Sequence, residues 1–245
     1  MQIAFITDLH TGLTKELPFD VDVRQNFLKI IEVLKTRHFD LLVLGGDLCL
    51  HDGNAEIYTW QKRQLDSLGK PYYVIPGNHD NQILLGNVFS KLKLTGKNEI
   101  YYDLDFEQIA LLFLDTGSKV TSDQQKSWLK TKLDLYQKKQ ILIFMHHPPA
   151  LMGVPFMDRE HALIDRAEIL SLFLAHPNFL HVFSGHYHVE RSLFIKNVAI
   201  HITPSLYIQI DPFVEDFRID HRLIGFRMIQ ILDLGLRTSV HYLEG

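Results

Sequence analysis

Five short apolar runs in this chain each end in a side chain that can hold a metal ion. That regularity limits the available folds more than any other feature. The run Ile3-Ala4-Phe5-Ile6 leads into Thr7-Asp8-Leu9-His10, and Leu41–Leu44 leads into Gly45-Gly46-Asp47. Tyr72–Ile75 runs into Pro76-Gly77-Asn78-His79-Asp80, Ile141–Met145 into His146-His147-Pro148-Pro149, and Leu180–Phe183 into Ser184-Gly185-His186-Tyr187-His188. None of the runs alternates with polar residues. Such runs read as strands buried on both faces, as in a sheet covered by helices. In open α/β sheets the carboxyl edge is where ligands bind.

Amphipathic segments separate the runs. Phe27, Ile30, Ile31 and Leu34 recur at helical spacing, as do Trp128, Leu129, Leu133 and Tyr136. Ser122 with Gln125 three residues later predicts a capping box. A further helix opens at Ile164 or Asp165 and runs through Ile169, Leu172 and Phe173 to His176, where Pro177 stops it. After residue 185 the texture becomes β-rich: Ser192–Ile195, Val198–Ile202, Leu206–Ile210, Ile224–Leu232 and Arg237–Leu243, with turns at Lys196-Asn197 and Leu234-Gly235. No linker or repeat divides the chain. The pattern predicts one α/β domain over residues 1–245. Its expected form is two packed mixed β-sheets flanked by helices, an αββα sandwich, with the part from about 190 to 245 completing the second sheet.

The chain has 245 residues, 46% hydrophobic and 22% charged, which is ordinary for a globular protein. Its net charge of −4 argues against a generic nucleic-acid binder, so no stable nucleic-acid partner is expected. The single cysteine, Cys49, allows no intrachain disulfide and is compatible with a reducing compartment. No apolar run approaches the ~20 residues of a membrane span. Met1-Gln2 leads into the first run with no basic segment, so neither a signal peptide nor a membrane partner is expected, and the expected location is cytoplasmic. Histidine is abundant, at 14 residues, and it is the commonest metal ligand.

Each polar cluster is weak evidence by itself. An Asp-x-His pair is more often a solvated turn than a pair of ligands, and Gly-Asp after a strand is a common helix entry. Gly-His-x-His says more, because alternate residues of an extended segment point the same way. Five such clusters at five equivalent strand ends read together as a metal site.

Asp8-x-His10, Gly46-Asp47, Gly77-Asn78-His79-Asp80, His146 and Gly185-His186-x-His188 resemble the full signature of the calcineurin-like metallophosphoesterases. His147-Pro148-Pro149, Met157-Asp158, Thr203-Pro204-Ser205 and Gly225-Phe226-Arg227 resemble its branch of class III cyclic-nucleotide phosphodiesterases and glycerophosphodiesterases. The resemblance implies a dinuclear centre, in which Asp8, His10 and His188 hold one metal and Asn78, His146 and His186 the other. Asp47 would bridge them. The mixture of carboxylates, imidazoles and one amide suits Mn²⁺, Fe²⁺/Fe³⁺ or Zn²⁺. Two such ions can clamp an in-line displacement at phosphorus, with a shared hydroxide as nucleophile.

His79 is the candidate acid for the leaving group, and Asp80 is expected to hold its ring. Asn78 and His79 are the candidate phosphate contacts. Asp115, after the run Leu111–Leu114, reads as a turn or hydrogen-bond acceptor, and His147 as a supporting residue. His161 and His201 read as surface or packing residues. His51, Asp52 and Arg159 are positioned to border the pocket, and the segment 150–165 reads as a loop over the site.

Protein phosphatases of this superfamily resemble Gly-Asp-x-x-Asp-Arg-Gly, whereas here Gly46-Asp47 is followed by no arginine. Purple acid phosphatases carry a tyrosine where this chain has Leu50, and lipid A precursor pyrophosphatases an arginine in place of His79. The resemblance therefore implies hydrolysis of a small phosphodiester, either a cyclic nucleotide such as cAMP or a glycerophosphodiester. Alternatives are a phosphomonoesterase or nuclease of the same superfamily, or a metal-free scaffold. A homodimer paired through the late strands is also open.

Overall fold

A computed structural model describes residues 1–89, 94–96 and 98–245. The apolar runs become β1 (Gln2–Ile6), β2 (Leu41–Leu44), β3 (Tyr72–Val74), β5 (Ile109–Leu114), β6 (Gln140–Met145) and β7 (Leu180–Ser184). An antiparallel strand β4 (Tyr102–Asp105) precedes β5, and β8 (Arg191–Ile195) and β9 (Val198–Ile202) follow β7. The chain closes with β10 (Gln209–Ile210), β11 (Ile219–His221), β12 (Ile224–Leu232) and β13 (Gly235–Leu243). Helices α1 (Val23–Lys35), α2 (Ala55–Asp66), α3 (Gln82–Val88), α4 (Asp123–Leu135), α5 (Pro155–Glu160) and α6 (Arg166–Leu174) lie between strands. Among the described residues no helix is long and apolar enough to cross a membrane.

Two large mixed sheets result. The first has the order β13-β12-β1-β2-β3 and the second β4-β5-β6-β7-β9-β8, with β10 and β11 forming a small separate pair. In each sheet the central strands run parallel, so their carboxyl ends share one edge. The late strands divide between the sheets instead of completing the second together. β8 and β9 extend the second sheet, whereas β12 pairs antiparallel with β1 in the first. The reason is that β1 carries apolar side chains on both faces and has a free flank, which the long apolar strand β12 covers.

The core lies in three layers. Helices cover the outer faces, and Ile3, Phe5, Val43, Leu111, Phe113, Leu142, Phe144, Phe183 and Ile229 fill the space between the sheets. On that inner face, residues in register across neighbouring strands form a row of rings: Tyr102, Phe113, Phe144, Phe183 and His201. Their centroids stand 4.5, 5.2, 5.5 and 5.1 Å apart, with interplanar angles of 15°, 15°, 25° and 22°. His201 ends the row, and its Nδ1 lies 3.0 Å from the Ser192 hydroxyl.

The capping box at α4 forms only by half. Ser122 Oγ accepts from the Gln125 amide at 3.1 Å, but the Gln125 side chain turns inward. It accepts from the Asp115 N–H at 2.7 Å and donates to the Asp115 carbonyl at 2.9 Å. Asp115 is buried, and its backbone groups need partners more than the exposed helix start does. Asp165 begins α6 without capping it; its carboxylate takes the Thr121 N–H and pairs with Lys126.

The ring row makes a stability prediction. Phe144 is fully buried and contacts Phe5, Phe113 and Phe183, so Phe144→Ala should cost ~3–5 kcal/mol in urea unfolding. Phe194 is 66% exposed, and Phe194→Ala should stay within ~0.5 kcal/mol of the parent. Equal losses in the two variants would show that the row contributes no more than a surface ring.

Candidate metal centre

The carboxyl ends of both sheets converge, and the structure brings Asp8, His10, Asp47, His146, His186 and His188 into one buried group, with the partly exposed His79 beside it. Three sets have donor atoms within 4.8 Å of one another: Asp8, His10 and His188; His10, Asp47 and His79; and Asp47, His146 and His186. Asp47 Oδ2 is the point of convergence. The Nε2 atoms of His146, His10 and His79 lie 3.3, 3.7 and 4.0 Å from it. Asp8 Oδ1 lies 3.4 Å from His188 Nε2 and 3.9 Å from His146 Nε2.

Backbone carbonyls set the ring orientations. Nδ1 of His146 bonds to the Gly45 carbonyl at 2.7 Å, and Nδ1 of His188 to the Ile208 carbonyl at 3.0 Å. An Nδ1–H donated in this way leaves Nε2 bare and directed at the carboxylates. His186 is held the other way round, with Nε2 at 2.9 Å from the His161 carbonyl, so Nδ1 is its available nitrogen.

The loops that carry these groups are wound tightly. Asp8, His10, Asp47, His186 and His188 all have left-handed backbones, with φ of 53°, 42°, 51°, 67° and 50°. Each such residue costs on the order of 1–3 kcal/mol. Loop hydrogen bonds hold them there: Asp8 N–H to the Gly46 carbonyl and His10 N–H to the Asp47 carbonyl, each at 3.0 Å, and His186 N–H to Asp8 Oδ2 at 2.9 Å. A Cβ at Gly77 would strike the Asp47 carboxylate, and one at Gly185 would strike Thr7 and Asp8, so both glycines are required by close approach.

The electrostatics are those of a site built for cations. Burial alone would raise the Asp8 carboxyl, but His188 and His146 pull it down to about 2. Burial likewise opposes ionisation of Asp47, yet His146 and His10 hold it well below the usual range. Burial pushes His146 down, but Asp47, Asp8 and the Gly45 carbonyl together bring it up to about 9. His10 and His186 are driven down to about 3, chiefly by burial.

Three observations fit metal ions. Asn78 Oδ1 and His146 Nε2 are buried without a hydrogen-bond partner. His10 Nε2 and His188 Nε2 face each other at 3.0 Å. Two nitrogens that each sit ~2.0–2.1 Å from one ion stand about 3 Å apart. The donors are oxygen and imidazole nitrogen, which suit borderline divalent metals.

Several neighbours differ from expectation. Asp80 does not touch the His79 ring. Its carboxylate accepts from Leu48 N–H at 3.1 Å, Gly77 N–H at 2.9 Å and the Tyr58 hydroxyl at 2.9 Å, tying together the two loops that bear Asp47 and Asn78. Burial and the Asp47 charge push it up to about 6. The His79 ring, 38% exposed, instead bonds through Nδ1 to the His51 carbonyl at 3.0 Å. Arg159 pairs with Glu160 and Glu215 outside the cleft. Asp115 stays apart from the donors and accepts from Ile100 and Gly117 N–H. His147 stacks on His186 at 4.0 Å and bonds to Thr116. His161, read from sequence as a surface or packing residue, holds His186 through its carbonyl and lines the cleft.

The cleft above the donors measures about 410 Å³. Beyond the expected residues and the 150–165 segment it is lined by Phe19, Lys119, Tyr207 and Phe217. These come from separate loops with no common motif, so no sequence pattern groups them. The segment 150–165 contributes Phe156, Met157 and His161 to the wall. Asp158 fixes that segment, accepting from the N–H groups of Met152, Gly153 and Val154 and from the Tyr187 hydroxyl, all at 2.8–3.0 Å.

Known proteins resemble this chain in sequence and in fold. Over 245 residues the chain is 32% identical to a protein of Fibrobacter succinogenes named a probable cyclic nucleotide phosphodiesterase, covering 99% of this chain and 94% of that one. It is 28% identical to a probable glycerophosphodiester phosphodiesterase of Arcobacter nitrofigilis, covering 86% and 81%. The crystal structure of a dimetal phosphatase from Danio rerio has the same fold, with a TM-score of 0.70 at 15% identity and 94% of each chain covered. The family model for the calcineurin-like phosphoesterases matches residues 1–190, which takes in every donor described above, and the chain belongs to that family, as a metal-dependent phosphoric ester hydrolase.

Proposed function

We propose that the chain is a dinuclear-metal phosphodiesterase acting on small phosphodiesters, either cyclic nucleotides or glycerophosphodiesters. The observation that carries this reading is the convergence of His10, His79 and His146 on one oxygen of the buried Asp47. Asp8, His10 and His188 would hold one ion, Asn78, His146 and His186 the other, and Asp47 both, with Mn²⁺, Fe²⁺/Fe³⁺ or Zn²⁺ as the ions. When bound, two such ions supply Lewis acidity at the phosphoryl oxygens and lower the pKa of water so that a nucleophile exists near neutral pH.

The remaining chemistry falls to the chain itself. Asn78 and His79 sit on the cleft wall where a phosphoryl group would lie. His79 donates its Nδ1–H to the His51 carbonyl, so the imidazolium form of the ring would carry on Nε2, facing the cleft, the proton that a departing alkoxide needs. Asp80 acts through the loops it ties rather than on the proton. Among the described residues Lys119 is the only lysine or arginine on the wall, and its ammonium makes no ion pair there. One free cation matches the single negative charge of a diester better than the double charge of a monoester. The relatives named for cyclic nucleotide and glycerophosphodiester hydrolysis support the same substrate range. A cytoplasmic setting belongs to the proposal, in keeping with the buried thiol of Cys49.

Two measurements test this reading. Metal analysis should find two first-row ions per chain, and Asp47→Ala should lose at least one of them with nearly all turnover. Full activity with both ions retained would remove Asp47 from the bridging position. His79→Ala should keep both ions and lose about 10²–10⁴-fold on an alkyl diester or cyclic nucleotide, but far less on bis(p-nitrophenyl) phosphate, whose leaving group needs no proton. Equal losses on both substrates with metals intact would make His79 a positioning residue, and loss of metal would make it a ligand.

A further inference from the structure

Four aromatic rings from four separate segments stand at the mouth of the metal cleft. Phe19 comes from the 3-10 turn Pro18–Asp20, Phe156 from α5, Tyr207 from the segment after β9 and Phe217 from the loop before β11. Phe19 lies 6.1 Å from Tyr207 and 5.8 Å from Phe217, with interplanar angles of 25° and 30°. Phe156 meets Phe217 at 5.7 Å, with the ring planes 58° apart. Tyr207 joins the rim to the donors, with its ring 5.4 Å from His10 and 6.3 Å from His188.

These rings are not leftover surface. Phe19 is 51% exposed and Phe217 43%, while Phe5, Phe113, Phe144 and Phe183 between the sheets are buried. Phe19 keeps a left-handed backbone with φ of 50°, unusual for a bulky side chain, and Asp20 follows it at 60°. The loop of Phe217 is clamped by the Asp211–Arg218 ion pair at 2.6 Å and by Arg159 with Glu215 at 2.9 Å. Ordered loops thus hold two rings, inclined at 30° to each other, against water on the rim of a polar, donor-filled cleft. An apolar wall beside convergent polar groups is the makeup of a small-molecule site.

We propose that Phe19 and Phe217 are specificity-determining residues that hold a flat unsaturated ring on the substrate's ester group. Nucleobase-bearing diesters would then be selected over glycerol-bearing ones; the inference rests on the phosphodiesterase reading above. A base offers a π face to lay against the wall in the offset geometry aromatic pairs prefer. A glycerol group offers none, and it would press hydroxyls against hydrocarbon without partners.

The test is the ratio of kcat/KM for cyclic AMP to that for glycerophosphoethanolamine, measured with Mn²⁺. Phe19→Ala and Phe217→Ala should each lower this ratio about 5- to 150-fold, the range equivalent to ~1–3 kcal/mol per stacked base. Phe19→Tyr, which keeps a ring, should restore it, and Phe194→Ala, a surface ring on β8, should leave it at the parent value. An unchanged ratio, or equal loss on both substrates, overturns the proposal. So does a Phe19→Ala protein that light scattering shows to be monomeric when the parent is dimeric, because the rings would then cover a second copy. Equilibrium dialysis of 5′-AMP against glycerol 3-phosphate reads the same preference without turnover. Ring-dependent preference for AMP in a protein that hydrolyses neither diester would overturn the phosphodiesterase reading and uphold the wall. Hydrolysis of both diesters with a ring-independent ratio would do the reverse.

Discussion

Two carboxylates, Asp8 and Asp47, lie buried at the bottom of one cleft, and most of the molecule answers to that placement. A buried ionised carboxylate carries a penalty of several kcal/mol unless a cation or hydrogen-bond donors offset it. Protein donors meet part of the demand. Asp8 accepts from Thr7 and from the His186 N–H, and Asp47 from the His79 N–H. The rest points to positive charge. Every imidazole around the pair presents a nitrogen toward it, and the rings of His79, His146, His186 and His188 are each held by a backbone carbonyl. The amide oxygen of Asn78 is likewise buried without a hydrogen-bond partner.

The sheets make that concentration affordable by being stiff. The row from Tyr102 to His201 fixes the spacing and register of β4, β5, β6, β7 and β9 one or two residues before the chain turns into the site. His146 follows Phe144 by two positions, and His186 follows Phe183 by three. A regular platform therefore ends abruptly in loops whose backbones are strained, and left-handed φ values gather where the donors are. Strain of this kind persists only when surrounding hydrogen bonds over-determine it.

Much of this could be read from the chain. β1, β2, β3, β5, β6 and β7 announced themselves because strands buried on both faces carry uninterrupted apolar residues. β4 did not, since it is a half-exposed edge strand whose residues Tyr102-Asp103-Leu104-Asp105 alternate. The placement of β12 was also invisible, because nothing in Ile224–Leu232 names β1 as its partner. At the centre, the carboxylates and imidazoles stood in a recognisable order. The partner of Asp80 was misjudged, because adjacency to His79 suggests a contact that the turn geometry directs elsewhere. The aromatic rim was missed, as Phe19, Tyr207 and Phe217 are far apart in sequence and only a left-handed turn aims Phe19 at the cleft.

The pairing of β1 with β12 sets a timetable for the chain's synthesis. Met1 meets Ile231 across 230 residues, and β1 becomes an interior strand only when that segment arrives. At ~5–20 residues per second, the interval is roughly 10–45 s. Throughout it, β1 has β2 on one flank and an open backbone edge on the other, beside Ile3 and Phe5. An open edge of that kind is a template for strands of other chains. β1 is thus made long before β12 seals it. A ribosome that stalls before β12 leaves the middle of the first sheet as its most adhesive border.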